Sequence, residues 1–361
     1  MTDITITGFD DRAAGELQEL TLHLNDEHTD TLALVAGLPD PSDGASVVAV
    51  SPDVVTFVDT NGGRHNIAFA ADVSSLETLQ GEFMRLLGEA RASAPPDLAL
   101  TSLEEEFAAT AGLPTLHTTV VAIEDVSAGM RQLTLRGGLE EYEPGSPDQF
   151  VFLMTGGADG GALTDEQTFE SYVEADAETR AAGAYYTVRG VRTDAHGRPA
   201  ELDLWIVRHD HPGTVAAWAD GVERGTPVAI WGPRSNYKPP EPTTQVALLG
   251  DETALPAIGA ILDDLPADRS ATAVVEVADP THVVPLPASA RIDVTWFFRD
   301  GEPAGATERL LGALEQIDAP ADQTSWFGAA EVRVAGALRR HLRHDRDLPR
   351  DRVMVTGYWR R

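Results

Sequence analysis

Apolar side chains recur at steps of three and four through Leu17, Leu20, Leu24, His28, Leu32 and Val35, a stripe that predicts one amphipathic helix from about Asp11 to Ala36. Strand-like runs follow at Val47–Val50 and Val54–Val58 around Ser51-Pro52-Asp53, and Asn61-Gly62-Gly63 predicts a hairpin turn into His65–Phe69. A second helix over about Ser75–Ala92 completes a small α+β domain of residues 1–92. Ala92-Ser-Ala-Pro-Pro-Asp97 has linker composition, and a short connecting helix is expected at Ser102–Ala111, so residues 93–114 read as a linker.

The pattern then turns β-rich. His117–Val126, Met130–Arg136, Gln149–Met154, Tyr185–Arg192, Glu201–Arg208 and Pro227–Trp231 are strands by their spacing, which predicts an antiparallel β-barrel over residues 115–242. The acidic insert Gly156–Gly183 lacks a strand pattern and is expected to be a loop with a short helix. Beyond Lys238–Pro242, strands near 246, 273, 293, 324 and 353 alternate with helical stretches, as in an open parallel sheet over residues 243–361. The fold class is therefore multi-domain α/β.

One junction carries candidate chemistry. The apolar strand Val246–Leu249 turns directly into Gly250-Asp251-Glu252-Thr253-Ala254-Leu255-Pro256-Ala257-Ile258. Backbone N–H groups and the positive helix end at such a junction can receive phosphate. Asp251 or Thr253 can cap the helix, Pro256 suits its first turn, and Leu255, Ile258, Ile261, Leu262 and Leu265 supply a buried face. The two acids beside a phosphate are electrostatically unfavourable.

Composition narrows the possibilities. With no cysteine, the chain has no disulfide, iron–sulfur cluster, thiolate zinc site or thiol catalysis, so an electron carrier here must be organic. A net charge of −31 argues against nucleic-acid binding. No apolar run approaches the roughly 18 residues of a membrane span, so a cytoplasmic protein without membrane insertion is expected. Residues 333–361 depart from the acidic average, with nine arginines against Asp345, Asp347 and Asp351. Val334, Leu338 and Leu342 predict a helix there that leaves Arg339, Arg343 and Arg346 as an exposed stripe able to attract an anion.

The order Tyr186-Thr187-Val188-Arg189, then His209-Asp210-His211-Pro212-Gly213-Thr214-Val215-Ala216-Ala217-Trp218, then the Gly250–Ile258 run and finally Gly357-Tyr358-Trp359-Arg360 resembles the siderophore-interacting proteins, flavin-dependent members of the ferredoxin reductase-like superfamily. The resemblance covers roughly residues 115–361. It implies FAD bound by the barrel, with Tyr185, Tyr186, Thr187, Val188 and Arg189 along one strand and His209, Gly213, Thr214, Val215 and Ala216 at a helix start facing the diphosphate. It implies NADPH or NADH bound by the C-terminal sheet, with Gly250, Asp251, Glu252, Thr253, Ala254, Glu331, Tyr358 and Trp359 as cofactor contacts. Arg360 and Arg361 are candidates for the ferric siderophore or other ferric chelate. No catalytic side chain is implied, because the flavin carries the electrons.

Departures from the family pattern are Ala184, where an arginine is usual, Ala216, where a serine is usual, and Ala330, which could narrow the nicotinamide crevice by a methyl group. They keep open an alternative, an iron-chelate- or haem-binding protein on a reductase scaffold with weakened flavin chemistry. Glu276 and Asp279 near the end of the second sheet strand favour a free ribose hydroxyl and NADH, whereas the family resemblance leans towards NADPH. Residues 12–92, with His23-Leu-Asn25-Asp-Glu-His28, resemble the small domain at the end of haem-utilisation split-barrel proteins. On a continuous helix, positions 23 and 28 differ by about 140° around the axis and do not converge, so both histidines are read as structural.

Overall fold

The computed structural model describes residues 4–361 other than 177, 210, 316 and 318, and it divides into two compact units that meet in sequence at Ala111 and Gly112.

In the first unit β1 (Thr5–Ile6), β2 (Ala45–Val50), β3 (Val54–Asp59) and β4 (Arg64–Ala68) form a sheet in that order. Helices α1 (Asp11–Glu27), α2 (Thr29–Val35) and α3 (Leu76–Ser93) bury Leu17, Leu32, Leu79 and Phe83 against Phe57 and its neighbours. The single helix expected from Asp11 to Ala36 is broken at His28, whose φ of −134° and ψ of 39° are not helical. Tertiary hydrogen bonds flank the break: Asn25 pairs with both backbone groups of Val47, at 2.9 and 2.6 Å, and Asp30 accepts from the Ser102 amide at 2.7 Å. The break brings the His23 and His28 rings edge to face at 5.2 Å, where a continuous helix would set them about 140° apart. His28 is buried, and its Nδ1 lies 3.0 Å from Ser102 Oγ.

That serine opens α4 (Ser102–Thr110), which also joins the first unit through Arg91 Nε donating to Glu104 at 2.7 Å. The stretch read as a linker thus contains a helix fastened to the N-terminal unit, which continues to Ala111.

The second unit holds two lobes. β5 (Thr115–Ser127), β6 (Met130–Arg136), β7 (Phe150–Met154), β8 (Gly183–Thr193), β9 (Pro199–Val207) and β10 (Pro227–Arg234) close an antiparallel barrel in the order β10-β5-β6-β9-β8-β7. The insert between β7 and β8 carries the short helix α5 (Phe169–Val173), whose Phe169 stacks on Trp231 at 4.0 Å. A further helix, α6 (Val215–Gly221), lies between β9 and β10.

In the other lobe β11 (Gln245–Gly250), β12 (Ser270–Val277), β13 (Ile292–Phe298), β14 (Thr324–Glu331) and β15 (Val353–Trp359) form a parallel sheet ordered β13-β12-β11-β14-β15. One face packs on α7 (Leu255–Asp263), and the other on α8 (Arg309–Leu314) and α9 (Val332–Arg340). Strand order reverses between β11 and β14, and in open α/β sheets ligands bind at the carboxyl ends beside such a switch.

Candidate functional site

Strand ends of the sheet and one wall of the barrel enclose a cleft of about 1080 Å³. The barrel contributes Tyr185, Tyr186, Thr187, His209, Gly213, Thr214 and Val215, and the sheet contributes Asp251, Glu252, Thr253, Tyr358, Trp359, Arg360 and Arg361. Alternation along β8 separates its two tyrosines: the Tyr185 ring is 47% exposed, braced edge-on by Phe150 and Phe152, while Tyr186 packs against the barrel core. Thr187 is buried, and its side chain neighbours the Tyr358 phenol where the barrel wall meets the last sheet strand. Burial pushes the pKa values of Tyr186 and Tyr358 up, so both phenols stay protonated at neutral pH.

After β11 the turn closes on itself. Asp251 Oδ1 accepts from the Thr253 amide at 2.9 Å and the Thr253 hydroxyl at 2.5 Å, and the Ala254 amide bonds back to the Asp251 carbonyl at 3.0 Å. The Thr253 and Ala254 amides are therefore already used, with the Asp251 carboxylate standing where an anion would. Burial pushes this carboxyl up to about 6, against the hydrogen bonds from Thr253 and Trp359. Glu252 is neutralised by Arg299, which reaches both its oxygens at 2.7 and 2.6 Å. These pairings resolve the electrostatic difficulty of two acids at the junction.

Several expected contacts lie elsewhere. Val188, Ala216 and Ala254 are buried in hydrophobic cores. Gly250 is packed so tightly that a Cβ there would lie 2.2 Å from the Ala254 Cβ and 2.7 Å from the Ala329 carbonyl oxygen. Glu331 is buried and caps α9, accepting from the Arg333 amide at 2.8 Å. Ala330 sends its methyl group into the core beneath the sheet, so it does not narrow the crevice. Glu276 is buried, accepts a hydrogen bond from Thr307 and lies 3.8 Å from Arg299, so it offers no free carboxylate to a ribose. Asp210, within the histidine-rich motif, falls outside the described residues.

The arginine stripe is also corrected. Arg339 and Arg343 donate to the Val355 and Val353 carbonyls at 3.1 and 2.9 Å, and Arg346 lies over the Trp326 ring at 5.4 Å while donating to the Leu314 carbonyl. These guanidiniums fasten α9 and the turn after it to the sheet and α8.

Other cleft residues carried no motif. Asp148, Phe150, Trp205, Asn236, His282, Arg299, Phe327 and Met354 all line it. Asp148 is buried, takes the Asn236 amide at 3.0 Å, and is pushed up by desolvation. A polar residue just before an apolar strand, as in Asp148-Gln149-Phe150, was the available signal for its position. Among the described residues, no group of three His, Asp or Glu side chains is placed to hold a metal ion, and no helix is long and apolar enough to cross a membrane.

Comparison with known proteins agrees with this architecture. The family model for the siderophore-interacting FAD-binding domain matches residues 119–237, and that for the siderophore-interacting protein matches residues 243–361. An uncharacterized protein of Mycobacterium tuberculosis is 31% identical over 264 residues, covering 70% of this chain and 92% of that one. The ferric vibriobactin reductase of Vibrio cholerae is 30% identical over 178 residues, or 49% of this chain and 64% of that one. The crystal structure of a siderophore utilization protein from T. fusca superposes with a TM-score of 0.58 at 31% identity, covering 69% of this chain and 94% of that one. A ferredoxin reductase of carbazole 1,9a-dioxygenase shares the fold at a TM-score of 0.53 and 13% identity, covering 68% of this chain and 70% of that one. Barrel, switch-point sheet and shared cleft occur here in the order of those two matches, and the chain belongs to the siderophore-interacting protein family.

Proposed function

We propose that the chain is an FAD-containing, NAD(P)H-dependent ferric-siderophore reductase that releases iron in the cytoplasm by taking Fe(III) to Fe(II). The observation that carries this reading is the single cleft whose wall runs from Tyr185–Thr187 of the barrel to Asp251–Thr253 and Tyr358–Arg361 of the sheet. A donor site at the strand ends and a flavin site on the barrel then share one cleft.

The residues present fit a flavin. The exposed Tyr185 ring and buried Thr187 offer a face and a hydroxyl on one rigid strand. With alanine at 184 and Arg189 turned away, contacts to the diphosphate fall to His209, His211 and the main chain of Gly213–Val215. When bound, FAD supplies acceptance of a hydride and delivery of single electrons. Tyr358 and Trp359 border the same space, and Arg360 and Arg361 beside them suit an anionic ferric chelate. No side chain has to break a covalent bond, since hard oxygen ligands release Fe(II) more readily than Fe(III).

Ala184 and the engagement of Arg189 favour a second reading, a ferric-chelate or haem binder with weakened flavin chemistry. Incubation with excess FAD and then with haem, each followed by desalting, separates the two. Flavin bands near roughly 370 and 450 nm support the reductase, and a Soret band with no retained flavin supports the binder.

A further inference from the structure

We infer that Arg189 is not a flavin ligand but the positioning residue that fixes the barrel against the nucleotide lobe, and thereby sets the approach of nicotinamide to flavin. The inference rests on the proposed reductase function. Arg189 is the extra residue of a β-bulge, because Val188 pairs with Leu204 whereas Gly190 pairs with Asp203. A bulge re-aims its side chain, here away from the cleft. The guanidinium lies over the Trp205 ring at 4.9 Å, and its Nη1 donates to Asp263 Oδ2 at 2.6 Å, at the last residue of α7. Arg189 keeps only 16% of its side-chain surface exposed in that position.

The sheet lobe is shaped to receive it. Gly259 sits in the interior of α7, where glycine costs about 1 kcal/mol relative to alanine. A Cβ at 259 would lie 2.7 Å from Arg189 Nε and 3.0 Å from Cζ, so the glycine leaves the space that the guanidinium fills. Trp205 is fixed in turn by its indole N–H, which donates to Gln132 Oε1 at 2.8 Å, and it packs into one core with Leu255, Ile258 and Leu262 of α7. Arg189 thus joins β8, which carries Tyr186 and Thr187, to α7, whose preceding turn carries Asp251–Thr253. A hydride moves only between closely apposed atoms, and a misplacement of about 1 Å can cost on the order of a hundredfold in rate.

The test uses the full chain with Arg189→Ala, Arg189→Lys and Gly259→Ala, measuring FAD affinity by titration and the flavin reduction rate at saturating NADH or NADPH in anaerobic stopped flow. The expected result is an FAD Kd within about twofold of the parent in all three, with the reduction rate constant lowered about tenfold or more in Arg189→Ala and Gly259→Ala and partly restored in Arg189→Lys. A weakened FAD Kd with an intact saturating rate overturns the assignment in favour of a phosphate contact, and unchanged values for both quantities overturn it as well. Gly259→Ala leaves the arginine in place and crowds it, so the idea stays testable should Arg189→Ala fold poorly. If the parent chain binds FAD that neither nucleotide reduces, the reductase reading fails; the strut as a structural element is then judged by FAD affinity and melting temperature.

Discussion

The indole nitrogen of Trp359 donates to Asp251 Oδ2 at 2.7 Å, tying the end of the last sheet strand to the turn that follows the first strand of the lobe. The bond crosses the switch point of the sheet, so the residues after Trp359 are held over the cleft mouth by a side chain that belongs to its floor.

Trp359→Phe keeps a ring but removes the donor. The buried carboxylate then loses one of its hydrogen bonds, and a stability loss of about 1–2 kcal/mol is expected at pH 7.5. Asp251 is pushed up to about 6 from an ordinary 3.8, so the folded state holds the proton where the unfolded state has released it. Stability from this group is therefore full below about pH 4 and falls as pH rises towards 6 and just beyond. The Trp359 bond favours the charged form, so the deficit of Trp359→Phe is larger at pH 7.5 than at pH 4.5. Urea denaturation at the two pH values checks this; equal deficits contradict it.

Glu252→Gln breaks the two-bonded pair with Arg299, both partners being buried. Removing one side of a buried ion pair leaves Arg299 with only the longer 3.8 Å contact to Glu276, and a loss of about 3 kcal/mol is expected. Replacing Glu252, Arg299 and Glu276 together with well-packed apolar residues should recover most of it. Thermal melts of the single and triple variants decide; a triple variant no better than the single contradicts the buried ion network as the cause.

Two groups of arginine should separate cleanly. Arg360→Gln with Arg361→Gln is expected to raise the KM for an anionic ferric chelate several-fold and flatten its dependence on ionic strength, with flavin content unchanged. Arg339→Gln with Arg343→Gln should lower the melting temperature and leave that salt dependence alone, because those side chains serve main-chain carbonyls of β15. The opposite pattern would return the anion-receiving role to the helix.

A chain beginning at Gly112 is expected to fold and hold FAD as the full chain does, since residues up to Ala111 form their own unit. One beginning at Ser93 carries α4 without Asp30 and Arg91, to which it is bonded, and should be less soluble. Flavin retention and sedimentation of the two chains test this.

Much of the architecture was legible because strands and helices wrote their own periods into the sequence. Six alternating runs gave the barrel and five apolar runs gave the sheet. The break at His28 was not legible, since the apolar stripe runs through it and only the partners of Asn25 and Asp30, supplied by Val47 and Ser102, reveal it. Tyr185, Tyr186 and Asp251–Thr253, which line the cleft, belong to sequence motifs, whereas Gly250 and Ala254 of the same run pack into the core. The consequence of Asp251 capping its own turn was missed, although Asp-x-Thr is itself a signal for such a cap. The arginines misled for a common reason: sequence shows a cation but not its partner. Arg189 meets Asp263 from 74 residues away, and no local pattern announces that pairing.

Iron release through the flavin is tested most directly by an anaerobic single-turnover experiment on the FAD-loaded protein. Its flavin is reduced with stoichiometric NADH or NADPH and then mixed with a ferric siderophore in the presence of a ferrous-specific chromogenic chelator. The expected result is bleaching of the band near roughly 450 nm on addition of the nucleotide, its return on mixing, and about two Fe(II) trapped per flavin. A flavin that neither nucleotide reduces, or a reduced flavin that persists beside an unchanged ferric chelate, would contradict it.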